Sequence, residues 1–146
     1  MTKQISYYKQ YTKIKPEVIT AVKSLIDSGF FREKNKGKLI MIKQLHTTFC
    51  NIYSIPICKI ELKERTISSN GLFSPTQNKI TLFKKASLVT YLHEFKHYLQ
   101  FAKKRKQNEK VARGWSLSLF YLADKKAFKR AVEKGYILHQ ERFEDE

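Results

Sequence analysis

The apolar positions run through two helical stripes, then a stretch of period two, then helical stripes again. Val18, Val22 and Leu25, flanked by Ile19 and Ile26, predict a helix that opens at Pro16 and stops at Gly29. Proline suits a first turn, where its missing N–H has no partner to lose, and glycine suits the stop. Phe30 and Phe31 are expected to pack after it, and FREKNKGK reads as a basic loop. Leu39, Ile42, His46, Phe49 and Tyr53 mark a second helix, which Pro56 ends. Cys58, Ile60 and Leu62 then alternate with Lys59, Glu61 and Lys63, the signature of a half-buried strand. Asn70-Gly71 and Pro75-Thr76-Gln77-Asn78 are turn signals around Leu72 and Phe73, and Ile80 and Leu82 alternate with polar neighbours. Three short strands joined this way predict an antiparallel meander. Leu88, Leu92, Phe95 and Leu99 restore the helical period over Ala86 to Phe101. Glu109, Ala112, Ser116, Leu119, Phe120 and Ala123 share one face of a following helix, and a last helix spans Lys125 to Lys134.

This order predicts an α+β fold: a small sheet of three to four strands, antiparallel with a mixed sheet as the alternative, packed on helices. A chain of 146 residues is expected to form one domain with a core of moderate size. The expected division is an N-terminal arm over 1–15, a single domain over 16–140, and an acidic tail over 141–146. The arm interleaves Tyr7, Tyr8 and Tyr11 with Lys9 and Lys13, and the tail ERFEDE holds four of the 13 acidic residues. No apolar run is long enough to cross a membrane, and the first residues lack the apolar core of a signal peptide. Cys50 and Cys58 form neither a C-x-x-C pair nor a disulfide framework. Together these features predict a cytoplasmic protein without a membrane partner.

Charge changes the picture only in part. The formal net charge is +16, and of 29 basic residues 23 are lysine. Lysine is a point charge rather than a base-reading fork, so the expected contact with nucleic acid is weak, sequence-independent and salt-dependent. Lys103-Lys104-Arg105-Lys106 is the densest basic run. It is read as a solvated loop, with a contact for acidic substrate or phosphate as the alternative.

The candidate chemistry lies in His93-Glu94-Phe95-Lys96-His97, an H-E-x-x-H motif on the stripe that begins at Leu88. Two imidazoles four apart share a helix face, about 6 Å apart along the axis. They can converge on one Zn²⁺, each at roughly 2.0–2.1 Å. Glu94, about 100° round the helix from His93, can reach a water on that metal. The metal lowers the pKa of such a water from about 15.7 toward roughly 7, and the glutamate takes its proton as general base. Glu109 opens the next helix on the face that can reach across to a metal, and Glu133 is the second candidate for a third ligand. His46 and Cys50 are also four apart, but both fall on an apolar face, so His46 is expected to be a satisfied core histidine.

The order of helices, strands, HExxH helix and a helix opening Glu-x-x-Ala resembles the zincin metallopeptidases. Within them it is similar to the gluzincin-type core of the ImmA/IrrE-like peptidases and the minigluzincins, over roughly residues 38–123. The resemblance implies zinc held by His93, His97 and Glu109, Glu94 as general base, and a peptide or protein substrate paired along Asn78–Phe83. Where gluzincins commonly carry an acidic residue four after the ligand glutamate, this chain has Arg113. SprT-like DNA-linked proteases share the basic charge and the HExxH motif but use a third histidine, and residues 98–138 contain none. Tyr121, Arg113, Tyr136 and His139 are the candidates for stabilising a developing oxyanion. Spacing does not choose among them, and it does not reveal the oligomeric state.

Overall fold

The structure is a computed structural model that describes residues 13–65 and 69–135. Residues 1–12 of the arm, the tail, Tyr136 and His139 lie outside the described residues, whereas Ile14 of the arm is buried in the core. Helix α1 is Pro16–Asp27, and Gly29 follows it at φ 94°, the left-handed conformation that lets the chain turn away. After a 3₁₀ turn at Phe30–Arg32, helix α2 spans Asn35–Tyr53. Phe30 is buried and Phe31 is half exposed. The helix therefore begins inside the stretch expected to be a basic loop. Asn35 supplies the reason: its amide donates to the Lys84 carbonyl at 2.9 Å and accepts from the Ala86 N–H at 3.1 Å. That pair ties the first turn of α2 to a distant connection, which local pattern cannot reveal.

Strands β1 (Lys59–Lys63), β2 (Gly71–Ser74) and β3 (Lys79–Phe83) form one sheet in the order β1-β3-β2. Helices α3 (Leu88–Ala102), α4 (Glu109–Ala123) and α5 (Lys125–Glu133) complete the described fold. The class is α+β with a mixed sheet. β3 pairs parallel with β1 and antiparallel with β2, so the expected meander is not formed. Thr81 and Phe83 are buried as well as Ile80 and Leu82, so β3 is covered on both faces and takes the centre. It therefore has no free edge for a substrate strand, contrary to what the resemblance implies for Asn78–Phe83. The edge strand beside α3 is β2, where the Ser69 hydroxyl bonds both the N–H and the carbonyl of Gly71. Gly71 is the first residue of that strand rather than the second half of a turn. A Cβ there would lie 2.5 Å from the Thr90 methyl, so glycine is what lets β2 press against α3.

The core centres on α3. Phe95 is fully buried, with ring centroids of Phe49, Tyr91 and Trp115 at 5.0, 6.0 and 6.1 Å. His46 sits in this layer as the expected core histidine. Its Nε2 lies 3.1 Å from the Cys58 carbonyl and its Nδ1 2.8 Å from the Tyr91 hydroxyl. The carbonyl can only accept, so Nε2–H donates to it and Nδ1 accepts from Tyr91. Cys50 and Cys58 lie nearby, but burial pushes their thiols up to about 11 and about 12. They pack as small apolar groups.

Burial holds the His46 pKa down at about 4, against an ordinary 6.5. Between those values the unfolded chain binds a proton that the folded chain refuses. Stability should therefore fall as pH drops from about 6.5 toward about 4. Urea midpoints measured across that window should show the fall in the parent. His46→Gln, which stays polar but cannot titrate, should flatten this part of the profile.

Candidate metal centre

Helix α3 starts at a serine cap: Ser87 Oγ accepts from the Thr90 N–H at 3.3 Å. From that start, His93 and His97 fall on one face, their ring centroids 5.0 Å apart. Helix α4 starts at an asparagine cap, Asn108 Oδ1 accepting from the Val111 N–H at 3.0 Å, which makes Glu109 its first residue. The connection between the helices is short and braced. Gln100 is buried, donates to the Asn108 carbonyl and accepts from the Asn108 N–H, both at 3.3 Å. That clamp aims the first turn of α4 back at α3.

Glu109 consequently lies across from both imidazoles. His93 Nε2 is 3.0 Å from Glu109 Oε2, and His97 Nε2 is 2.9 Å from Oε1. The three residues are the group of His, Cys, Asp and Glu among the described residues whose ligand atoms all lie within 4.8 Å of one another. Two imidazole nitrogens and one carboxylate form a donor set that suits Zn²⁺, and three protein ligands with an open side are what a catalytic zinc site requires. The residues fit the ion. His46, Cys50 and Cys58 do not meet the same condition. Glu133 ends α5 at an exposed position and is not part of the cluster.

The tautomer of His97 is set from behind. Gln107 Nε2 donates to the His97 carbonyl at 3.1 Å, which turns Gln107 Oε1 toward Nδ1 at 2.8 Å. Gln100 Oε1 lies 3.2 Å from the same nitrogen. With Nδ1–H donating to these oxygens, the Nε2 lone pair is left for a metal. Gln100 and Gln107 escaped the sequence reading because a glutamine near a helix end carries no periodic signal. Arg113 takes a different part from the acidic residue expected there. Its Nη2 lies 3.4 Å from Glu109 Oε2, so its charge rests on the carboxylate rather than behind a histidine.

Burial lowers the His93 pKa and outweighs the neighbouring Glu109, which raises it. Burial also pushes Glu109 upward, but the charge of His93 and the hydrogen bonds from His97 and His93 overcome it, and the net shift is down. Glu94 moves the other way. Burial raises its pKa, although the charge of His97 and the backbone N–H of Phe73 both pull it down. Phe73 lies on β2, so that strand and Glu94 adjoin.

Glu94, both histidines and Glu109 line an open groove whose other wall is β2, from Gly71 to Phe73. The N-terminal turns of α2 and α3 border it further along. Of the oxyanion candidates within the described residues, Arg113 touches the cluster. Tyr121 does not: it sits 12 residues along α4 from Glu109, about 18 Å of rise away, against Phe128. No helix is long and apolar enough to cross a membrane, among the described residues. No protein-family model, curated protein or solved structure matches this chain.

Proposed function

We propose that this chain is a zinc-dependent metallopeptidase of the zincin type, with His93, His97 and Glu109 as ligands and Glu94 as general base. The observation that carries the proposal is the convergence of three ligand atoms within 4.8 Å beside the half-buried carboxylate of Glu94, which lines the same groove. Zinc, when bound, supplies a Lewis acid that acidifies water and polarises a carbonyl. Glu94 takes the proton of the attacking water and passes it to the leaving amine. A pKa raised by burial brings the glutamate nearer the working pH, where proton transfer in both directions is efficient. An extended peptide would lie in the groove along β2, the edge strand of the sheet, and pairing with that edge would have to displace the Ser69 hydroxyl from Gly71. Arg113 is the described side chain best placed to share developing negative charge beside the ligands.

The test is metal content followed by cleavage. Protein purified without chelator should bind about one zinc per chain, and His93→Ala and His97→Ala should each abolish binding. The zinc-loaded protein should then cut a peptide library, and removal of the ion should stop it. Absence of zinc after purification and no uptake on titration would remove the basis of the proposal.

A further inference from the structure

A second concave site lies about a quarter-turn round α3 from the two histidines. Lys96, Lys103, Arg105 and Lys106 converge on it, with Tyr53 and Asn108 on its walls. Four of its nine lining residues are cations, against 29 basic residues in 146 for the whole chain, so the cluster is not a sample of the average surface. No acidic side chain lines it among the described residues, and none of the four cations forms an ion pair there. Like charges held together raise the free energy of the fold unless an anion neutralises them.

The geometry holds these charges in place. Lys96 Nζ lies 5.3 Å over the Trp115 ring, which fixes its stem against the core. The Arg105 N–H donates to the Gln100 carbonyl at 2.7 Å, and Lys104 takes φ 56°, so the loop turns sharply and presents Lys103, Arg105 and Lys106 on one side. Such an arrangement matches a row of phosphates better than one small anion. The wider charge of +16 would add long-range attraction toward a polyanion.

We infer that this cluster binds the phosphate backbone of nucleic acid, independently of base sequence, at a site separate from the candidate metal centre. Phosphate neutralisation by Lys and Arg releases counterions, so affinity should fall steeply with salt. Each phosphate contact on a single strand contributes about 0.7 to the slope of log K against log salt.

The experiment is fluorescence anisotropy of a labelled 20-nucleotide single-stranded DNA with the full chain, titrated across salt. Lys103→Glu, Arg105→Glu and Lys106→Glu together should weaken binding at least tenfold and reduce the salt slope by about 2. A control carrying Lys36→Glu, Lys43→Glu and Lys129→Glu has the same net charge and leaves both grooves untouched, so it should lose much less. Circular dichroism and zinc titration check that both proteins are folded. Should charge reversal unfold the hairpin, Arg105→Gln with Lys106→Gln is the milder pair and should still separate from a matched control. Equal losses in cluster and control proteins would mean diffuse attraction and would overturn the inference. So would equal binding of polyglutamate or of phosphatidylserine vesicles at the same cations. Zinc uptake that survives while DNA binding fails would sink this site and leave the metallopeptidase proposal standing.

Discussion

Glu94→Gln is expected to keep zinc binding and to lose peptide hydrolysis by about 10²–10⁴-fold, the scale of general-base catalysis. The substitution preserves the length and shape of the side chain that lines the groove beside the two histidines. What disappears is the ability to take a proton. Glu94 is not among the three residues whose ligand atoms converge, so the metal should be held as before. Zinc titration and single-turnover cleavage of one good peptide, run on parent and variant, separate the two effects. A variant that cleaves at the parental rate would show that the base lies elsewhere. A variant that loses zinc would show that Glu94 belongs to the ligand set instead.

The parts of this site that could be read in the sequence are those that depend on spacing along one helix. His93 and His97 share a face because 3.6 residues make a turn, and the stripe from Leu88 to Leu99 says which side of that helix is core. Glu109 was legible as the first residue on the inward face of the next helix. Sheet order was not. Alternation in β1 and β3 reports which face is buried, but carries nothing about which strand is the neighbour. The evenly buried residues of β3 distinguish a central strand only once the packing around the sheet is known. Gly71 misled for a related reason. Asn-Gly is a strong local turn signal, yet here the glycine answers a long-range demand, the close approach of β2 to Thr90. Gln107 and Gln100 were illegible because their roles come from hydrogen bonds across the α3–α4 connection rather than from any pattern along the chain.

Glu109→Ala is expected to weaken zinc binding itself, in contrast to Glu94→Gln. The carboxylate supplies the negative charge of the candidate site, and its two oxygens face His93 and His97 at 3.0 and 2.9 Å. Its removal leaves two imidazoles and an uncompensated Arg113, whose guanidinium lies 3.4 Å from one of those oxygens and would then repel the ion. Gln107→Ala provides the scale. Losing the partner that orients a ligating histidine typically costs about 10–100-fold in metal affinity, and losing a charged ligand should cost more. Because the defect is in binding, excess zinc should partly restore hydrolysis in Glu109→Ala and should do nothing for Glu94→Gln. Glu133→Ala should behave as the parent, since that residue ends α5 at an exposed position outside the cluster. Competition with a chromophoric chelator measures all four affinities on one footing. If Glu109→Ala binds zinc as tightly as the parent, the third ligand is a different group, and the proximity of the carboxylate to the two imidazoles would be an ion pair of the metal-free protein alone.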